Sequence, residues 1–314
     1  MYCKEGAVHI PDGFLSASVA LPLWGVTAGV GGYALRRVSR DLGERDAPVV
    51  GVVAAGIFAA QMLNFPIAGG TSGHLVGTAL ATLLLGPWTA ILVMGCVLIV
   101  QALVFQDGGL VALGANIFNM GILGALVAYA ADQTIRGLFG ARPWARPAAA
   151  FLAGWMATVM GALATGMELA LSGLAPANLV LPAMGGIHAL IGVVEGLITM
   201  GAVAFLSVLR REPERPVVGR LPLWAAGLAL AFGLAVLAPL ASSDPDGLER
   251  VAQDLGFHSA ARVTLPGLIP DYVVPGIPNP ALATILAGFL GAALVFGLAV
   301  LLVFRRRPPQ ALKR

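Results

Sequence analysis

Lysine is nearly missing from this chain: Lys4 and Lys313 are the only two among 314 residues. A phosphate-binding loop of the GxxxxGK[ST] type needs a lysine inside a glycine-rich turn, so ATP hydrolysis by that route is excluded. Charge of either sign is scarce, at 11% Asp, Glu, Lys and Arg, where a soluble domain carries roughly 25%. Two cysteines, Cys3 and Cys96, cannot build a disulfide framework, and Cys96 lies in an apolar run where it reads as a small core residue. No HExxH stretch occurs, which argues against a zincin-like protease. The first seven residues, MYCKEGA, lack the apolar stretch of a cleavable signal, so the first apolar segment is expected to direct insertion itself.

What the chain does hold is apolar sequence, at 58% hydrophobic residues with a mean hydropathy of +0.87. That composition predicts an all-α, polytopic helical membrane protein. The 41 glycines fit, because helices in lipid associate through close packing at small residues. A pI near 9.2 does not imply a nucleic-acid partner, since the arginines lie in short loops between apolar runs. Runs near 14–35, 49–67, 75–85, 88–105, 110–131, 148–171, 185–209, 221–240 and 281–304 read as spans. The third is short, flanked by Gly69–Gly70 and Gly86–Pro87, and reads as a tilted half-span or re-entrant segment. With the N-terminus outside and nine crossings, four loops carrying 16 of the 19 Lys and Arg face the cytoplasm. The C-terminus is then cytoplasmic, and the setting is a cell (plasma or inner) membrane.

On this topology His9, the 69–74 loop, the QDGG of 106–109 and the start of the Asn116 segment all fall on the outer side. His74 sits in the glycine-rich stretch FPIAGGTSGHLVG at 65–77, between two apolar runs. His9 sits in VHIPDGFLS just before the first run. A buried imidazole in a membrane is costly without a partner, and neutral imidazole is a good ligand for Ni(II), Co(II), Cu(II) and Zn(II). We therefore expect His9 and His74 to meet around one metal ion. The bland alternative for His74 is a hydrogen-bonded or capping histidine. Asn116 and Asn119 share a helix face at i and i+3. They read either as interhelical hydrogen-bonding groups or as supports orienting a metal-bound ring. Ser72, two residues from His74, invites a serine-hydrolase reading, but no base aimed from a separate element is evident; it remains a candidate supporting residue. Glu168, His188 and Glu195 are ionisable groups within apolar runs. Of these, Glu195 reads better as a tie between helices than as an ion ligand.

Residues 210–220, RREPERPVVGR, form a charged, proline-bearing linker and the clearest boundary. It divides a membrane domain at 9–209 from a second at 221–314. The latter's two spans flank a polar outer segment at 241–279, in which Asp246 is expected to cap a short helix from 247 to 255.

The runs HIPDGFLS, GGTSGHLVG and QDGGLVALGANIFNMGILG together resemble the substrate-binding (M) component of the CbiM/NikM cobalt and nickel transporters of the energy-coupling-factor class. The PDGLE at 245–249 and PDY at 270–272 look like the N component often encoded beside it, so the whole resembles a fused NikMN-type chain. The resemblance implies a seven-span M core plus two further spans, no resident cofactor, and Ni²⁺ or Co²⁺ as transported substrate. It also implies partners: a transmembrane T component and two ATPase subunits, with nickel favoured by the fused PDGLE tail. The resemblance further implies four nitrogen ligands, from the N-terminal amine, the amide nitrogen and imidazole of a second-position histidine, and the imidazole of the GGTSGH loop. Carried over, these are the backbone nitrogens of Val8 and His9 and the rings of His9 and His74. Here the histidine stands at position 9, behind residues 1–8. A GTG codon at Val8 read as an initiator would restore the pattern, so the first seven residues are expected to be absent from the mature protein.

Overall fold

The computed structural model describes residues 9–43, 46–140, 142–211 and 223–304. The extension at 1–8, including Cys3 and the backbone nitrogen of Val8, lies outside the described residues, as does all but the first two residues of the 210–220 linker.

Backbone in hydrocarbon must satisfy its own N–H and C=O groups, so the apolar runs fold as helices. In chain order these begin with α1 (Ala17–Asp41) and α2 (Ala47–Gln61). A small hairpin follows, β1 (Phe65–Ile67) paired antiparallel with β2 (Thr71–Gly73), Phe65 opposite Gly73. Then come α3 (Thr78–Leu85), α4 (Pro87–Phe105) and α5 (Leu113–Phe139). The remainder comprises α6 (Ala145–Leu171), α7 (Ala177–Arg211), α8 (Leu223–Leu237), the short α9 (Gly247–Asp254) and α10 (Pro280–Phe304). Six of these, α1, α4, α5, α6, α7 and α10, are long and apolar enough to cross a membrane; α2 and α8 are apolar but shorter.

Three sequence expectations change. The run at 75–85, read as a half-span or re-entrant segment but counted among nine crossings, forms an eight-residue helix of about 12 Å, against a hydrocarbon core of about 30 Å, so the helix cannot cross by itself. The end of the second run, expected to be span, is strand β1, because Gly69 and Gly70 take left-handed φ (83° and 68°) and turn the chain back. The helix expected from 185 starts at Ala177, so His188 lies well inside α7 rather than at its mouth.

The chain before α3 supplies what α3 lacks in length. The buried Glu195 carboxylate on α7 accepts the N–H groups of Val76 (2.8 Å) and Gly77 (2.9 Å), where α3 begins. Orphan donors at a helix start are satisfied, and a carboxylate suits the positive end of the helix dipole. Glu195 thereby ties α7 to the loop after His74. α6 and α7 pack closely, since a Cβ on Gly154 would stand 3.0 Å from the Cα of Gly196. On the other side, α2 lies against α4, α8 and α10 around Phe58, Met94, Phe105 and Val295, all at most 1% exposed.

Both α4 and α5 contain π-helical turns, at Gln101–Phe105 and Ile117–Leu123. Such turns are rare and gather at functional positions. Here they carry Gln101 and Asn119, two of the buried polar side chains on which the site is built.

Candidate metal centre

The segment from His9 to Asp12 is buried, with His9, Ile10 and Asp12 each at most 4% exposed. Its backbone is fixed from several sides. Asn116 Oδ1 accepts the Ile10 N–H (3.0 Å), and Asn116 Nδ2 donates to the Ile10 carbonyl (3.1 Å), which also receives the Gly109 N–H. Asp12 Oδ1 accepts the N–H groups of Val111 (2.7 Å) and Ala112 (3.2 Å), just ahead of α5, and the Asp12 carbonyl accepts the Arg262 N–H.

This places the His9 ring beside His74, edge to face, with ring centres 5.8 Å apart. His9 Nε2 stands 2.9 Å from Gln101 Oε1 and 4.0 Å from Asp107 Oδ2. His9 Nδ1 is buried without a hydrogen-bond partner among the described residues. His74 Nδ1 donates to the Leu75 carbonyl at 3.1 Å, which leaves its Nε2 as the lone-pair nitrogen. Burial, aided by the neighbouring His9, lowers the pKa of His74 from the ordinary 6.5 to about 3, so this ring is neutral at physiological pH. A cavity of about 80 Å³ is lined by His9, His74, His188, Asn116, Asn119 and Asp246 among others. His188 Nδ1 donates to the Met184 carbonyl (2.8 Å), and its ring abuts Gly247, where an added Cβ would stand 2.7 Å from Cε1.

The supporting residues expected from sequence do other work than orienting rings. Asn116 holds the Ile10 backbone rather than an imidazole. Asn119 Nδ2 donates to Thr165 Oγ1 (3.1 Å) and Glu168 Oε2 (2.9 Å), tying α5 to α6, while its Oδ1 is buried without a partner. The Ser72 hydroxyl donates to the Asp244 carbonyl (2.7 Å), not to His74, which also removes the geometry of a Ser–His dyad. Rings are held instead by Gln101 and the Leu75 carbonyl. Sequence reading missed Gln61 and Gln101, and noted Asp107 and Tyr272 only as parts of the QDGG and PDY stretches. Gln61 and Gln101 are polar within apolar runs, and that cost of burial was the available signal.

The C-terminal segment roofs the cavity. The Ser72 N–H donates to the Pro245 carbonyl (2.8 Å), so the outer edge of β2 is occupied. Asp246 caps α9 as expected, accepting the Glu249 N–H at 2.7 Å. Its burial raises the carboxyl pKa to about 8, although the Glu249 and Leu248 N–H groups favour the charged form. Tyr272 stacks on Phe105 (4.6 Å between centres, 11° between planes) and donates its hydroxyl to Asp107 Oδ2 at 2.6 Å. Burial and the Asp107 charge push this phenol's pKa up.

Among the described residues no group of three or more His, Cys, Asp or Glu side chains is placed to hold a metal ion. The two imidazole rings brought together at the cavity are those of His9 and His74. Cys96 does not join them; it is buried among apolar residues of α4 and the α2 core.

A polytopic helical membrane protein with two imidazoles lining one cavity is the class that fold and site define. The family described as a cobalt uptake substrate-specific transmembrane region matches residues 9–213, and the PDGLE domain matches residues 221–307. The chain belongs to this cobalt-uptake transmembrane family, with a PDGLE domain following in the same chain. It is 41% identical to a putative fused nickel transport protein NikMN of Archaeoglobus fulgidus, over 93% of this chain and 96% of that one. It is 31% identical to a fused nickel transport protein NikMN of Rhodobacter capsulatus over 92% and 95% of the two chains. A cobalt transport protein CbiM of Sorangium cellulosum is 38% identical over 68% of this chain and 93% of its own. A crystal structure of a truncated transition metal transporter, 32% identical, covers 64% of this chain and 98% of that one, with a TM-score of 0.58.

Proposed function

We propose that this protein captures Ni²⁺ from the outer side of a cell membrane for ATP-driven uptake. It would work as the substrate-specific subunit of an energy-coupling-factor transporter, with a transmembrane T component and two ATPase subunits as partners. The observation that carries this reading is the juxtaposition of His9 and His74, whose free nitrogens, Nδ1 and Nε2, belong to rings lining one cavity. The outward position of that cavity, with N-terminus outside and C-terminus cytoplasmic, is supported by the charge bias of the loops. A chain beginning at Val8 would add the terminal amine and the His9 amide nitrogen. Four nitrogens in a plane suit d⁸ Ni(II). Because every donor must be free of its proton, affinity is expected to weaken as pH falls. Intact-mass measurement tests the amine: a mass that includes residues 1–7 removes it as a ligand.

Co²⁺ is the second reading, favoured by the family's description and by the CbiM relatives. Nitrogen ligands serve both metals, and intrinsic affinity favours nickel over cobalt only by the usual order of the series. Calorimetric titration of the purified full-length protein with Ni²⁺ and Co²⁺ decides between them. Tight binding of neither ion overturns the capture function.

A further inference from the structure

Beneath His9 runs a chain of side-chain amides whose hydrogen-bond polarity can be read from one end. Gln61 on α2 and Gln101 on α4 are 2% and 1% exposed. Gln61 Nε2 lies 2.8 Å from the Val76 carbonyl oxygen. A carbonyl only accepts, so the Gln61 amino group faces Val76 and its Oε1 faces the other way. That oxygen accepts from Gln101 Nε2 at 2.9 Å, which fixes the second amide in turn. Gln101 Oε1 is then the atom presented to His9 Nε2, at 2.9 Å. An amide oxygen cannot donate, so His9 Nε2 must carry the hydrogen. Asp107 Oδ2, an acceptor, lies 4.0 Å from the same nitrogen. A neutral imidazole has one N–H, which leaves the lone pair on Nδ1. This is the buried nitrogen that has no hydrogen-bond partner among the described residues.

We infer that Gln61 and Gln101 are positioning residues for metal capture: they hold His9 in the Nε2–H tautomer, with its ring plane set so that Nδ1 is the metal donor. The relay ends on the carbonyl of Val76, two residues beyond His74, so one hydrogen-bond chain registers the His9 ring against the loop that carries the other imidazole. Neither glutamine touches the ion. The inference rests on the proposed capture function for its affinity consequence, but the tautomer assignment stands apart from it.

Nitrogen-15 NMR of the ring-labelled, metal-free, full-length protein reads the tautomer directly. The expected His9 signals are a protonated Nε2 and a bare Nδ1; a bare Nε2 with a protonated Nδ1 overturns the proposal. Gln101→Leu is expected to mix the two forms and to weaken Ni²⁺ binding in calorimetry by about 10–100-fold, the usual effect of removing a group that orients a metal-bound histidine. Gln61→Leu, one step further from the ring and tolerant of folding should Gln101→Leu fail to insert, is expected to lower affinity by roughly tenfold, again with a mixed tautomer. Unchanged tautomer and unchanged affinity in Gln61→Leu would sink the relay while leaving the capture function intact. Should the wild-type protein bind neither Ni²⁺ nor Co²⁺, the capture reading fails, and the tautomer measurement still decides the relay.

Discussion

The two parts of the chain treat polar groups in opposite ways. Residues 9–211 bury Gln61, Gln101, Asn116, Asn119, Glu168 and Glu195 and join most of their polar atoms into networks that converge near two imidazoles. In residues 223–304 the helices α8 and α10 are almost wholly apolar, and the polar residues are gathered in the segment between them. Yet that segment reaches the site repeatedly: through the carbonyls of Asp244 and Pro245 on the hairpin, Gly247 against His188, the Arg262 N–H on Asp12 and Tyr272 on Asp107. The difference suggests a division of labour. The first part holds the candidate donors; the second closes over them, mostly through backbone atoms, and so constrains shape more than chemistry.

The sharpest way to break that division is to remove a donor. His74→Ala is expected to weaken Ni²⁺ or Co²⁺ binding by more than about 100-fold in calorimetry, with the thermal melt of the metal-free protein nearly unchanged. Retained affinity would mean that the donors lie elsewhere. Next in size, Glu195→Leu strips the acceptor from two buried N–H groups at the start of α3. It is expected to destabilise the protein by about 2–5 kcal/mol in chemical or thermal unfolding and to loosen the His74 loop, lowering affinity as well. Stability and binding that separate in this variant would show that the loop holds its place without the carboxylate.

Smaller effects test the roof. Tyr272→Phe keeps the stack on Phe105 and deletes only the hydrogen bond to Asp107, so a loss of about 1–3 kcal/mol is expected, with affinity changed by only a few-fold. A loss of binding as large as that of His74→Ala would place the roof among the donors and end the division. Asp246 offers the mildest test. Its folded pKa of about 8 lies above the ordinary 3.8, so the fold favours the protonated form. The stability this contributes is present below about pH 4 and drains away as pH rises toward 8. Asp246→Asn keeps a capping side chain and should flatten that slope in thermal melts between pH 5 and 9. An unchanged slope would assign the pH dependence to other groups.

Legibility in the sequence followed the physics of each feature. The imidazoles at 9 and 74 were conspicuous because an ionisable ring beside an apolar run has few inexpensive explanations. The capped helix after Asp246 was readable because capping is local. Gln61 and Gln101 were not, since a lone amide in an apolar run gives no hint of its partner, and theirs lie 40 residues apart on different helices. The hairpin at 65–73 was hidden for a related reason. Its outer edge is completed by Pro245, more than 170 residues further along the chain.

Composition alone determined that this is a helical membrane protein, because lipid admits few backbone solutions. Its motifs likewise singled out the two histidines. Tertiary structure alone decided which groups each ring faces, where α3 starts and that the C-terminal segment covers the cavity. Those are properties of hydrogen bonds between distant residues, whose directions exist only once the helices have packed.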